Sequence, residues 1–206
     1  AFILSVVRAE QLSVSTSVPL QVLSGVALSP GPMVYITDSH GNRARDQSGD
    51  ALVTVTAYDS DTMEPVRLMG QQTQSSKDGI ATFQDIAFAK IARLSLKFSS
   101  PSLPIATWGP INVVTGPGAY VVFALQPYGA QQGKLFSIQP IVKLSDATGN
   151  DVSTDSTTLA FLSLEEKVGT LFQDASHYLT GTTIGAVRNG TFTFTDLGLA
   201  YSAPFD

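Results

Sequence analysis

The sequence contains no cysteine. That absence excludes disulfide staples, thiol catalysis, iron–sulfur clusters and zinc–thiolate sites together. Charge is also scarce: 14% of the 206 residues are charged, 12 basic against 17 acidic. The net charge of −5 gives no electrostatic footprint for nucleic acid or an anionic membrane. No apolar run approaches the roughly 18 residues of a membrane-spanning helix. The opening Ala1-Phe-Ile-Leu-Ser-Val-Val-Arg8 is apolar, but it is short and has no basic start, so it does not read as a signal peptide. With no initiator methionine, the chain reads as a processed or excised piece. Histidine is limited to His40 and His177, and no nucleophile elbow accompanies either. Gly116-Pro-Gly118 opens no helical pattern and lacks the lysine of a phosphate loop. No catalytic residue and no cofactor are therefore expected. What is present is a 43% hydrophobic share, enough for a folded core, with Ser, Thr and Gly in place of charge.

The chain repeats itself. Met33-Val-Tyr-Ile-Thr-Asp38-Ser-His-Gly41-Asn42 aligns with Ile141-Val-Lys-Leu-Ser-Asp146-Ala-Thr-Gly149-Asn150, an offset of 108. Asp78-Gly-Ile-Ala-Thr-Phe83-Gln-Asp85-Ile86 aligns with Asn189-Gly-Thr-Phe-Thr-Phe194-Thr-Asp196-Leu197, an offset of 111. A period of about 110 residues is too long for a solenoid unit and suits whole sandwich domains in tandem. Period-2 alternation runs through Leu52–Ala57, Leu94–Phe98 and Thr191–Thr195, so each unit reads as antiparallel β-sheet with one face on a core. Asp78-Gly79 and Asn189-Gly190 predict type I′ hairpins, because glycine accepts positive φ without a Cβ clash.

The repeats are cut out of phase. After its Asp-Gly motif the first repeat continues through Leu94–Ser100, turns at Pro101 and Pro104, and ends in Trp108-Gly-Pro110-Ile-Asn-Val113-Val114. That reads as a closing hairpin, and nothing equivalent follows Asn189-Gly190. The amino end resembles such a closing hairpin: Pro19, Leu20 and Val22 match Pro110, Ile111 and Val113. A rival alignment makes Leu20–Val26 a first strand that matches Val121–Gln126. The resulting expectation has four parts. Residues 1–19 are terminal strands of a preceding repeat, 20–114 form a complete domain, 115–118 a short linker, and 119–206 a domain lacking its final two strands. Such an incomplete sandwich exposes strand edges and an open apolar core. Either the chain belongs to a longer array, or another copy supplies the strands by head-to-tail strand addition.

The segments Val121–Pro127, Phe136–Asn150 and Asn189–Leu197 resemble bacterial-type immunoglobulin-like (Big, invasin-like) repeats of large surface proteins. The shared features are an Asp-x-x-Gly-Asn turn and a Gly-x-x-x-Phe-x-Asp-Leu strand. The first repeat departs from the pattern in lacking Gln-Pro near Leu20. The resemblance implies all-β, antiparallel Greek-key immunoglobulin-like sandwiches in tandem, with no catalytic residues. It also implies a structural role: a rigid spacer or filament component at a cell surface or appendage, with neighbouring repeats as partners. The alternatives are an adhesin module that binds carbohydrate or protein through its loops, and an intracellular filamin-like or ciliary scaffold.

The candidate site residues are few. Asp38, Gly41 and Asn42, with Asp146, Gly149 and Asn150, read as structural turns: the aspartate can accept backbone N–H groups two residues on, and the glycine takes a left-handed conformation. Asp59, Asp61, Asp146 and Asp151 are oxygen ligands that a calcium ion would accept, although no Asp-x-Asp-x-Asp-Gly ladder is present. Solvated turn carboxylates are the plainer alternative. Asn189-Gly-Thr191 is an N-glycosylation sequon on a predicted hairpin turn, where the turn itself also calls for Asn-Gly. Trp108, Tyr120, Tyr128, Tyr178 and Tyr201 are the aromatic residues that could bind a partner. Trp108 and Tyr120 flank the joint, where packing between domains is the simpler role. Phe83 and Phe194 are expected to point into the cores.

Overall fold

Alternation along Leu52–Asp59 is realised on the backbone: Val53, Val55, Ala57 and Asp59 are buried while the residues between them face outward. The computed structural model describes residues 8–45 and 51–200. Among these residues there is no α-helix, only a 3-10 turn at Ser176–Tyr178 in an otherwise β chain. The chain divides into two compact units, Ala1–Gly116 and Pro117–Asp206.

The first unit contains β1 (Gln11–Val14), β2 (Gln21–Leu23), β3 (Met33–Thr37), β4 (Leu52–Asp59), β5 (Pro65–Val66), β6 (Leu68–Met69), β7 (Thr73–Ser75), β8 (Ile80–Thr82), β9 (Ala87–Phe88), β10 (Arg93–Ser100) and β11 (Leu103–Val114). One sheet has the order β1-β3-β8. A second has the order β2-β11-β10-β4-β5, with β7 also on β4, and β6-β9 is a separate pair. All pairs are antiparallel except β2 on β11. Inward residues of both sheets join one core: Leu12, Val34 and Ile36 on one side, and Val55, Leu96, Phe98 and Ile111 on the other. The β10–β11 hairpin is the largest contributor, with Leu94, Leu96, Phe98, Trp108, Ile111 and Val113 all buried. Each such apolar side chain contributes roughly 1.5–3 kcal/mol on burial. A bulge in β11 places Leu94 opposite Ile111 but Leu96 opposite Trp108. The extra residue turns both Trp108 and Ile111 inward.

The second unit contains β12 (Gly118–Leu125), β13 (Ile141–Asp146), β14 (Leu159–Phe161), β15 (Glu165–Val168), β16 (Leu171–Asp174), β17 (Leu179–Thr180), β18 (Ile184–Ala186), β19 (Thr191–Thr193) and β20 (Gly198–Leu199). Its main sheet has the order β12-β13-β19; β14-β18, β15-β16 and β17-β20 are separate pairs. The core gathers Val142, Leu144, Val152, Ala160, Val187, Phe194 and Leu197.

The units share one hydrogen-bond frame. Gly25 N–H donates to Phe88 O as Gly133 does to Leu199 O, and Leu28 to Ile86 as Phe136 to Leu197. Ile36 donates to Gly79 as Leu144 to Gly190, and Phe83 to Pro32 as Phe194 to Pro140. Every donor or acceptor is displaced by 108 or 111 residues. The two Gly hairpins agree as well: Asp78 and Gly79 have φ of 52° and 72°, and Asn189 and Gly190 have 49° and 71°. These are the paired positive values of a type I′ turn.

The amino end differs from expectation. Residues 11–14 do not close a preceding repeat; they pair antiparallel with Met33–Thr37, and Leu12 enters the first core. Register also decides between the rival alignments. Leu12 lies opposite Ile36 and Val121 opposite Leu144, so Val121 corresponds to Leu12, not to a residue of 20–26. Gln21–Leu23 instead runs parallel beside Asn112–Val114, with Val22 opposite Val113. The expectation for residues 1–7 lies outside the described residues.

Candidate interaction surface

The Asp-x-x-Gly-Asn segments build closed turns. Asp38 accepts the backbone N–H groups of His40 (2.9 Å) and Asn42 (2.8 Å), and Asn42 Nδ2 donates to it at 3.0 Å. The Asn42 side-chain bond, with these backbone donors, holds the Asp38 carboxyl below its ordinary range. Asp146 is fully buried and accepts from the N–H groups of Thr148 (2.9 Å) and Asn150 (3.0 Å) and from Thr148 Oγ1 at 2.7 Å. Gly41 and Gly149 sit at φ of 81° and 89°. The carboxylates spend their lone pairs on the turn.

The other proposed calcium residues are engaged by protein groups too. Asp59 bonds Lys90 Nζ at 2.7 Å and accepts from the N–H of Asp61, and its carboxyl is lowered chiefly by the Lys90 bond. Asp61 lies 3.7 Å from Arg93, and Asp151 pairs with Lys143 at 2.7 Å. Asp59 and Asp61 fall in the first unit, Asp146 and Asp151 in the second. Among the described residues no three metal-ligating side chains converge. His40 is held in the Asp38 turn, its N–H on that carboxylate.

The Gly-x-x-x-Phe-x-Asp-Leu strand acquires a physical reading. Asp85 accepts the N–H of Gln71 at 3.0 Å, and Asp196 accepts the N–H of Thr182 at 2.9 Å and its hydroxyl at 2.8 Å. The Thr182 bonds, the backbone one first, lower the Asp196 carboxyl. Asp155 is lowered to about 2, first by the N–H of Thr158 and then by that of Thr157. Its own carbonyl accepts the N–H of Gly190 and so braces the Asn189-Gly190 turn. The Asn189 side chain is exposed on that turn.

Trp108 does not belong with the exposed aromatics. It is 4% exposed, and its Nε1 donates to Thr16 O at 2.7 Å. Tyr120 and Tyr128 are exposed, and Tyr201 lies outside the described residues. Tyr178 is half-buried, and its ring lies 3.9 Å, centroid to centroid, from that of His177. It lines a groove with Gln132, Leu164, Glu165, Leu199 and Ala200. Sequence reasoning missed this groove, because Leu164 and Leu199 carry the ordinary apolar signature of core positions.

β12 presents a run of exposed apolar side chains. Tyr120, Val121, Val122, Phe123 and Leu125 are all exposed, although the strand is paired along β13. Exposed apolar stripes of this kind mark contact surfaces. Among the described residues, no helix is long and apolar enough to cross a membrane. No protein-family model matches the chain, and no curated protein matches it at a significant level.

Proposed function

We propose that the chain is a non-enzymatic segment of a tandem immunoglobulin-like array, a rigid spacer or filament component at a cell surface or appendage. The observation that carries this reading is the hydrogen-bond frame shared by the two units at offsets of 108 and 111 residues. A frame repeated down to single N–H···O bonds fits a module whose product is its shape. The strand order of the first unit supports the immunoglobulin-like assignment: β1 and β2 divide between the two sheets, and a closing hairpin lies beside the third long strand, β4.

The pairing supports a load-bearing role. β2 runs parallel to the end of β11, Gln21 opposite Asn112 and Leu23 opposite Val114. Pulling the two ends of the unit apart loads these inter-strand bonds in shear, so they must fail together. Force spectroscopy on the chain tests the proposal. The expected result is a discrete unfolding step that releases about 300 Å as residues 21–114 extend. Smooth extension without such a step would overturn it.

A second reading, an adhesin module, is favoured by the His177–Tyr178 ring pair beside a groove that also holds Glu165 and Gln132. Glycan binding abolished by Tyr178→Ala would select it over the spacer.

A further inference from the structure

We propose that Asn189 is the acceptor of an N-linked oligosaccharide, a modification that rests on the surface location in the reading above and deepens it. Asn189-Gly-Thr191 is the only Asn-x-Ser/Thr sequence in the chain. Two demands meet at this site, one from the hairpin turn and one from the sugar.

The equivalent turn of the first unit separates them. Lys77 N–H donates to Ile80 O at 2.8 Å and Ile80 N–H to Lys77 O at 3.0 Å; Arg188 N–H donates to Thr191 O at 2.7 Å and Thr191 N–H to Arg188 O at 3.0 Å. Asp78 and Asn189 hold φ of 52° and 49° in these turns. Aspartate therefore meets the demand of the turn as well as asparagine does. Apart from Lys77 against Arg188, the two turns differ in Asp78 against Asn189 and in Ile80 against Thr191. Those differences supply what glycosylation requires: an amide nitrogen, and a hydroxyl two positions further on.

Neither group is used by the fold. Asn189 is held through its backbone, its N–H donating to Ser156 Oγ at 3.2 Å, and the Gly190 N–H donates to Asp155 O at 2.6 Å. Among the described residues the Asn189 amide group and the Thr191 hydroxyl make no hydrogen bond, and both residues are exposed. The turn borders an open hollow of about 370 Å³ lined by Ser156, Ala186, Val187 and Arg188, which leaves room for the first sugar.

The donor is a lipid-linked oligosaccharyl diphosphate, and the catalyst is a transferase of a secretory compartment. Asn189 Nδ2 bonds to C1 of the first sugar while the bond from C1 to the diphosphate oxygen breaks. The lipid diphosphate leaves with that electron pair, and one amide proton is lost to base. A bulky, hydrated chain then stands on a hairpin tip, outside both cores. It marks passage through a secretory compartment, which an intracellular scaffold would not make.

The test secretes the chain from a eukaryotic host behind a cleavable leader and reads its intact mass and its glycopeptides. Asn-Gly also deamidates spontaneously, so the intact glycopeptide is read, not the aspartate left after enzymatic release. A single glycan at Asn189 is expected, kept in Thr191→Ser and lost in both Thr191→Val and Asn189→Asp. Asn189→Asp preserves the turn, since Asp78 fills the same place in the first unit. Slow exchange of the Leu144 amide proton, bonded to Gly190 O at 2.8 Å, reports that each variant is folded. A folded, secreted wild type without sugar would overturn the proposal, and so would a glycan that persists in Thr191→Val. The host supplies the compartment, so a bare chain sinks this inference and leaves the spacer reading to the force experiment. A glycosylated chain that extends smoothly under load sinks the spacer reading alone.

Discussion

Replacing Phe83 by alanine is expected to bring the first unit close to unfolding. Phe83 is fully buried, and its ring lies 5.4 Å, centroid to centroid, from Phe98 of the opposite sheet. Phe83 N–H donates to Pro32 O at 3.0 Å, so the backbone is pinned and the site collapses poorly around a missing ring. Truncation of this kind costs about 3–5 kcal/mol, the transfer and cavity terms together. A domain of this size has roughly 5–15 kcal/mol in total. At about 4–8 °C per kcal/mol, the melting point should fall by at least ~12 °C. Trp108 is the single tryptophan and is buried in this core, so its emission in a urea titration reports the unit directly. Leu52→Ala, exposed on β4 of the sheet that carries Phe98, is the control, expected within about 0.5 kcal/mol of wild type. A loss below about 1 kcal/mol for Phe83→Ala would refute the reasoning, since the two sheets would then not share a close-packed core.

Other outcomes follow from the turns and the bulge. Gly41→Ala meets open space but a φ of 81°, and should cost about 1–2 kcal/mol in the same titration. Gly79→Ala should cost more, because its Cβ would also lie 2.5 Å from Ala44 O. Trp108→Phe removes the bond to Thr16 and should lower stability by roughly 0.5–1.5 kcal/mol or more, read by far-ultraviolet dichroism. Asp155, with a folded-state pKa of about 2 against an ordinary 3.8, adds stability that is fully present above pH 3.8 and lost as pH falls toward 2. Carbon-13 titration should place its midpoint near 2, and Asp155→Asn should flatten the acid limb of the stability curve; a midpoint near 3.8 would contradict the Thr157 and Thr158 bonds.

Features determined within a few residues were legible from the amino-acid sequence. Asp38 and Asp146 reach only to Asn42 and Asn150, and Asp78-Gly79 needs only its own φ preferences, so composition reveals them. Alternation in β4 and β10 was equally readable, because one face of each meets a core. The amino-terminal register was not. Leu12–Val14 and Leu20–Val22 both alternate, and a period of two does not say which sheet a strand joins. That choice is made by β3 for the first and by β11, some 90 residues away, for the second. Trp108 misled for a related reason. Its position near the joint is a fact of sequence, but the bulge opposite Leu94 and Leu96 decides that it faces inward. For the candidate surface, the apolar pattern of β12 was readable as a strand; its exposure depends on what covers it, which no local pattern encodes.

The bond from Trp108 to Thr16 spans 92 residues. During synthesis at roughly 5–20 residues per second, the first strand emerges about 5–20 s before the side chain that caps it. A nascent first unit must therefore wait with β1 uncovered, and every further repeat built this way would wait in turn. Contacts this distant also slow folding after release. A ribosome translating such an array would carry a moving window of unfinished sandwich, with exposed strand edges that a holdase chaperone or slow translation would have to shelter.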